Sequence, residues 1–168
     1  MLKGQDILVL LKLANRKLEW TFADLARELG ISASEVHAAL RRAAEAGLYD
    51  YEGRRVWRHA LWELAVHGLR YVFPARPGAR QRGIPTAHSA PPLRDMLLVE
   101  PHDVFVWPHP QGEATGAALA PIHPAAPDAA LRDPVLHRRL ALVDTLRTGG
   151  TTDRNVARKG LERELGLC

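Results

Sequence analysis

Side chains suited to hydrogen-bonding chemistry recur at helical spacing within residues 32–42 of this chain. If Val36 and Leu40 point into a core, the opposite face of a helix presents Ser34, His37 and Arg41. Hydroxyl, imidazole and guanidinium groups can bind the edges of bases in the major groove of DNA, and a guanidinium fits guanine through two hydrogen bonds. The spacing therefore predicts a helix whose outer face reads duplex DNA.

The start of the same helix carries groups suited to a phosphate. Ser32 can cap the helix, and Glu35 three residues later completes a capping box. The free amides of a helix N-terminus favour an anion, so we expect Ser32 and its neighbouring amides to bind a DNA phosphate. Glu35 lies at a position that would contact bases, and Arg42 is expected towards the DNA backbone, in contact with phosphate.

A second group of basic residues follows in the segment 49–57, which is predicted to form a strand, a turn at Glu52-Gly53 and a second strand. Arg54 and Arg55 lie at or just beyond the tip of this hairpin. A hairpin beside a DNA-reading helix can enter the minor groove or contact phosphate. These two arginines are therefore the expected DNA contacts of a wing.

Two short helices and a tight turn must hold the predicted reading face in place. Thr21 can cap a first helix with apolar residues at i, i+3, i+4 and i+7 spacing, and Gly30 can end it because glycine accepts a positive φ. Ile31 then faces the core, Ser32 begins the second helix, and Gly47 closes it. A turn of so few residues is typical of helix-turn-helix geometry.

A set of small, apolar and capping residues appears here together: Leu25-Ala26-x-x-Leu29-Gly30-Ile31-Ser32-x-Ser34-x-Val36-x-x-x-Leu40-x-Arg42, then Gly47-Leu48. This string resembles the winged helix-turn-helix domain of bacterial transcriptional regulators of the MarR and Lrp type, over roughly residues 5–58. Those families usually have leucine where this chain has Ala43. The resemblance implies a homodimer that binds a palindromic DNA operator and, in most members, represses transcription.

Composition excludes several other classes of protein. The chain of 168 residues has a formal net charge of +4 at pH 7, which is compatible with binding nucleic acid. Its only cysteine is Cys168, so an intramolecular disulfide and a cysteine-based metal site are ruled out. No apolar run has membrane-spanning length and no signal peptide is visible, so we expect a cytoplasmic protein with no membrane partner.

The expected fold is α+β and helix-rich, with a winged helix-turn-helix domain over residues 1–58 and a small C-terminal α/β unit. A connecting helix is predicted over 59–73, where apolar residues cover more than one face. Residues 74–92 are rich in proline, glycine and arginine, which predicts either a flexible linker or an ordered loop along DNA or a partner. Residues 93–168 are expected to dimerise or to bind a partner protein.

The C-terminal unit is predicted to contain a short apolar element at 96–99, strands at 104–107 and 117–121, and helices at about 128–147 and 152–165. Pro134 can divide the first of these helices into two pieces. The predicted apolar face of that helix consists of Leu131, Val135, Leu136, Leu140, Leu142 and Val143.

The eight histidines show no compact metal-binding pattern. His102, His109 and His123 are spread along the chain without the spacing of a ligand pair. His88 and Ser89 are neighbours, but adjacency in sequence is not the geometry of a nucleophile and its base. The sequence therefore predicts a protein that is not an enzyme and that uses neither a metal nor another cofactor.

Three functions remain open on the sequence alone. The first is a dimeric repressor that reads double-stranded DNA through the second helix and the basic wing. The second is an antitoxin or adaptor whose C-terminal unit binds a partner protein. The third is a ligand-responsive regulator with a pocket between the helix at 58–73 and the C-terminal unit, although no convergent group of polar residues marks such a pocket.

Overall fold

The computed structural model describes all 168 residues, and it confirms the expected helix-rich α+β fold. Eight α-helices and five short strands follow one another along the chain. The elements are α1 Gly4–Leu13, α2 Phe22–Leu29, α3 Ala33–Glu45, β1 Tyr49–Asp50, β2 Arg55–Val56, α4 Arg58–His67, α5 Leu69–Val72, β3 Arg80–Thr86, β4 Phe105–Pro108, β5 Ala114–Ala118, α6 Ala126–Arg132, α7 Pro134–Thr148 and α8 Thr151–Glu164. None of the helices combines the length and the apolar character needed to cross a membrane.

Local capping chemistry determines where α2 and α3 begin and end. The Thr21 hydroxyl accepts a hydrogen bond from the Asp24 amide at 3.0 Å, and the Asp24 carboxylate accepts one from the Thr21 amide at 2.9 Å. Gly30 has a φ of +70°, a left-handed conformation that ends α2 and redirects the chain into α3. Ser32 then caps α3. These helices therefore have the bounds that their capping residues predicted.

The connecting helix expected over 59–73 is broken into two pieces. Helix α4 ends at His67, and the short α5 begins at Leu69, with Gly68 between them. Leu61, Ala65 and Leu69 are buried, so the apolar face continues across the break.

The segment 74–92 is not a linker or a loop throughout, because it contains β3. This strand pairs antiparallel with β4 through residues 83–86 and antiparallel with β5 through residues 80–83. The Gly83 backbone lies so close to the Trp107 backbone that a Cβ at position 83 would overlap it. Glycine and proline are typical of turns, but here glycine permits close strand packing, and composition alone therefore gave the wrong prediction.

The three strands β3, β4 and β5 form a small closed sheet, since β4 and β5 also pair, in parallel. The predicted strands at 104–107 and 117–121 correspond to β4 and β5, with shifted bounds. The apolar element predicted at 96–99 is wrong, because Leu98 is 90 % exposed and Met96 is 51 % exposed. The sheet core instead uses Ile84, Val106 and Trp107.

Pro134 divides the first C-terminal helix as predicted, because α6 ends at Arg132 and α7 begins at Pro134. Leu136, Leu140, Leu142 and Val143 are buried as expected. Leu131 and Val135 lie on either side of the break and are exposed, so their predicted place in the apolar face is wrong. Asp133 between the two helices has an extended backbone, so the helical periodicity that predicted one continuous apolar face is interrupted there.

A buried carboxylate joins the small sheet to α7. Asp144 is 2 % exposed and accepts hydrogen bonds from the Thr86 hydroxyl at 2.7 Å and the Trp107 indole at 2.8 Å. Arg147 donates to the same carboxylate at 2.8 Å. Burial raises the pKa of the Asp144 carboxyl, whereas Arg147 and the two neutral donors oppose that shift.

The expected boundary between residues 1–58 and 93–168 does not separate two cores. One cluster of 34 buried apolar residues extends from Ile7 in α1 to Leu165 after α8. Polar contacts also join the N-terminal and C-terminal halves, since Lys12 pairs with Asp133 at 2.6 Å and Arg139 donates to the Leu11 carbonyl at 2.6 Å. The two halves therefore pack against one shared core.

Candidate nucleic-acid interface

Helix α3 packs one side against α1 and α2 and leaves the other side open. Its buried residues are Val36, Ala39, Leu40 and Ala43, at the spacing of a single face. The opposite side carries the predicted reading residues, with Ser34 and Arg41 exposed and His37 half-buried. The structure thus brings these three side chains to one surface.

Arg41 and His37 differ in how firmly the fold holds them. The Arg41 guanidinium is exposed and forms no hydrogen bond or ion pair within the protein. The His37 ring lies edge-on to Phe22, 5.4 Å away, and to Tyr51, 6.0 Å away. Arg41 is therefore free to bind a ligand, whereas His37 is already oriented by its aromatic neighbours.

Tyr51 belongs to this surface, although the sequence analysis did not select it. It is 40 % exposed and follows β1, two residues after the buried Tyr49. The Tyr51 ring lies 6.0 Å from His37 and 6.1 Å from Tyr49, and its position two residues after a strand tyrosine is the signal that could have found it. With His37, Arg41 and Glu45, it lines an open cleft of about 460 Å³.

Arg42 does not take the phosphate-binding position that its sequence neighbourhood predicted. Its Nη2 lies 2.7 Å from Oδ1 of Asp6, and its Nε donates to Oδ2 of the same carboxylate at 2.9 Å. Asp6 is completely buried, and its hydrogen bonds raise the pKa of Arg42. Arg42 therefore neutralises a carboxylate of α1, because the buried charge of Asp6 needs a partner.

Ser32 and Glu35 form reciprocal hydrogen bonds at the start of α3. The Glu35 carboxylate accepts a hydrogen bond from the Ser32 amide at 2.7 Å, and the Ser32 hydroxyl accepts one from the Glu35 amide at 3.1 Å. These hydrogen bonds lower the pKa of Glu35. The helix terminus thus already holds an anionic group, which corrects the expectation that Ser32 binds phosphate there and that Glu35 reads bases.

The two wing arginines have separate environments. Arg54 adopts a φ of +53° in the turn, and its guanidinium lies 4.2 Å from the centre of the Trp20 ring and donates to the Trp20 carbonyl at 2.8 Å. Arg55 remains 66 % exposed, although its Nε lies 3.3 Å from Oδ2 of Asp50. Arg54 therefore holds the hairpin against the chain before α2, and its role as a DNA contact stays a prediction because the residue is exposed, as Arg55 is.

The remaining candidates for other chemistry lie apart from one another. No three residues of the histidine, cysteine, aspartate and glutamate types are grouped closely enough to hold a metal ion. His109 pairs with Asp128 at 2.6 Å, and His102 lies beside Asp103 at 3.6 Å. The Ser89 hydroxyl accepts a hydrogen bond from the Phe105 amide at 2.9 Å, so it stabilises the loop before β4.

Comparisons with known protein families, with curated proteins and with solved structures found no match to this chain. The resemblance to MarR- and Lrp-type regulators therefore stays a prediction. The fold provides one surface with an unpartnered guanidinium, an oriented imidazole, an exposed phenol and an accessible arginine on the adjacent hairpin.

Proposed function

We propose that this protein is a sequence-specific regulator of transcription that binds double-stranded DNA as a winged helix-turn-helix module. In this proposal α3 enters the major groove and the β1–β2 hairpin meets the flanking backbone. The observation that carries the proposal is the unpartnered Arg41 on the open side of α3, next to His37 and Tyr51. Arginine in such a position can bind the O6 and N7 atoms of guanine.

The dimensions of α3 support insertion into DNA. Its 13 residues span about 20 Å at 1.5 Å per residue, and a helix with side chains is about 10–12 Å wide. The major groove of B-form DNA is about 12 Å wide, so a helix of this size fills it. The open side of α3 would then meet base edges, while its buried side stays in the protein core.

A homodimer is part of the proposal, because one helix reaches only a few base pairs. Two copies related by a two-fold axis would read half-sites about 34–36 Å apart in a palindromic operator. We propose that binding blocks transcription, as the resemblance implies, and that the protein acts in the cytoplasm.

Selection of bound duplexes from a random pool tests the proposal with the full chain. We expect a symmetric motif, and Arg41→Ala should weaken binding to that motif by about 5- to 150-fold, the range of about 1–3 kcal/mol for one bidentate contact. Arg55→Ala should weaken binding to all duplexes about equally. Lys159→Ala is the matched control, since Lys159 is exposed on α8. Recovery of no motif, or an Arg41→Ala protein that binds the motif as tightly as wild type, contradicts the proposal.

A second candidate function is an antitoxin or adaptor that binds a partner protein. The exposed side chains of Tyr71 and Val72 on α5 favour it, since they are 74 % and 55 % exposed. The two candidates are compatible within one chain. A stable one-to-one complex with the product of a neighbouring gene, lost in a Tyr71→Ser protein, would support this role. A sedimentation coefficient that stays the same when that product is added would exclude it.

A further inference from the structure

A cleft separates the open side of α3 from the segment that follows β5. Its volume is about 520 Å³, and its polar lining consists of Lys3, Gln5, Ser34, Glu35, Arg42 and His123. Gly4 lies so close to the Ile122 carbonyl that a Cβ at position 4 would overlap it. The segment 119–125 is therefore pressed against the start of α1, and it brings His123 to the edge of the proposed DNA-reading surface.

His123 points a hydrogen-bond donor into this cleft. Its Nδ1 accepts a hydrogen bond from the Ala125 amide at 3.1 Å, which places the ring proton on Nε2. The Nε2 atom has no partner within the protein. Lys3 forms no ion pair, whereas the Gln5 side chain accepts from Arg42 at 3.2 Å and also hydrogen-bonds to the Glu35 carboxylate. The cleft thus offers two unused donor groups, the Lys3 ammonium and Nε2 of His123.

We propose that His123 and Lys3 bind a phosphate of the DNA strand on this side of α3, so that the C-terminal half takes part in DNA binding. This inference rests on the proposed function. A helix that fills the major groove has a sugar-phosphate backbone along each flank. His37, Arg41 and Tyr51 mark the flank towards the hairpin, whereas Ser34 and Arg42 mark the flank towards His123.

The charges around His123 come from Lys3, Glu35 and the pair of Arg42 with Asp6. Arg42 and the buried Asp6 neutralise each other, whereas Glu35 keeps its negative charge while its carboxylate accepts from the Ser32 amide. Lys3 supplies the remaining free positive charge of the cleft. Burial lowers the pKa of His123, and Glu35 raises it slightly in return. A bound phosphate would raise that pKa further, so binding would take up a proton at His123.

Measurements with the full chain and the selected duplex, between about 50 and 200 mM salt, test the inference. Lys3→Ala and His123→Ala should each weaken binding by about three- to tenfold, and Lys3→Ala should reduce the salt slope by about one unit. His102→Ala is the matched control, because His102 is an exposed histidine outside the cleft. His123→Gln keeps a donor and should recover part of the affinity.

The pH dependence gives a second readout that a purely structural role of His123 would not produce. Wild-type affinity should rise as the pH falls from about 8 to about 6, and the rise should be smaller in His123→Gln, which cannot take up the proton. Unfolding midpoints equal to wild type would show that the variants remain folded.

The outcomes separate this inference from the proposed function. If Lys3→Ala and His123→Ala bind with wild-type affinity and salt slope while Arg41→Ala loses the motif, the phosphate contact is overturned and the proposed function stands. If the wild-type protein binds no duplex, both are overturned.

Discussion

Arg41 of α3 and the two buried arginines of α7, Arg139 and Arg147, have the same chemistry and opposite environments. Arg41 is exposed on α3 and has no partner in the protein. On α7, Arg139 and Arg147 are 5 % and 8 % exposed. Arg139 donates to the Leu11 carbonyl and to Asn15, and Arg147 donates to Asp144 and to the Phe73 carbonyl. Arg41 on α3 can therefore bind a ligand, whereas Arg139 and Arg147 on α7 already bind partners within the protein.

A basic residue is therefore informative about function only when its partners in the folded protein are known. Arg41 and Arg42 are neighbours in sequence, yet they emerge about 100° apart around the helix. That rotation leaves Arg41 in solvent and brings Arg42 to the buried Asp6. Burying the Asp6 carboxylate without a partner would cost free energy, so Arg42, which can reach it, forms the ion pair.

We expect the largest loss of stability from a substitution on α7, at the Asp144 partner of Arg147. Asp144→Ala would leave the Arg147 guanidinium buried without its anion, and the Thr86 and Trp107 donors without an acceptor. We expect the free energy of unfolding to fall by about 3–5 kcal/mol, measured by urea denaturation. Asp95→Ala is the control, because the Asp95 side chain is 68 % exposed. A loss below about 1 kcal/mol for Asp144→Ala would mean that this junction does not depend on the buried pair.

Arg42→Ala tests whether α3 also contains an arginine that stabilises the fold through an internal ion pair. Asp6 would remain buried without its partner, and we expect a loss of about 3 kcal/mol in the free energy of unfolding. The effect should be smaller than for Asp144→Ala, since the Arg42 side chain is 20 % exposed. The salt slope of DNA binding should stay at its wild-type value. A stable variant whose slope falls by about one unit would instead identify Arg42 as a phosphate contact.

Ser32→Ala distinguishes a capping role at the start of α3 from a ligand-binding role. The variant loses the hydroxyl that accepts from the Glu35 amide, so the protein should be destabilised by about 1 kcal/mol. Ser32→Asn retains a capping side chain and should lie within a few tenths of a kcal/mol of wild type. Thermal unfolding of the three proteins measures both effects. Equal stability of wild type and Ser32→Ala would contradict the capping role.

The smallest effect expected is the pH dependence of stability from His137, which α7 presses against the sheet. Its Nε2 donates to the Pro85 carbonyl at 2.8 Å, and burial lowers its pKa below the ordinary value of 6.5. The unfolded chain therefore binds a proton more readily than the folded one as the pH falls through 6.5, and stability is lost there.

Urea midpoints at about pH 7.5 and about pH 5.5 measure this loss. The decrease in wild type should be larger than the decrease in His137→Gln, and His59→Gln should behave as wild type because the His59 side chain is 69 % exposed. An identical decrease in wild type and His137→Gln would assign the pH dependence to other groups.

Much of the N-terminal half could be predicted because its signals are local. Thr21, Gly30 and Ser32 act within one turn of the helices that they begin or end, so capping chemistry is visible in the sequence. The prediction failed over 74–92 because β3 depends on two strands that lie later in the chain. It also failed at Leu131 and Val135, where the direction of the chain after Pro134 decides burial.

Local patterns in the sequence are enough to specify the helix-rich α+β class, the capped pair α2 and α3, and the face of α3 that carries Ser34, His37 and Arg41. Which charged groups remain available depends on contacts that form only in the folded protein. Asp6, Trp20 and Asp144 lie far in sequence from Arg42, Arg54 and Thr86, and folding brings each pair into contact. Side-chain periodicity depends only on residues that are close in sequence. A buried charge, in contrast, is stabilised by an opposite charge or a hydrogen-bond donor that the fold brings near from a distant part of the chain.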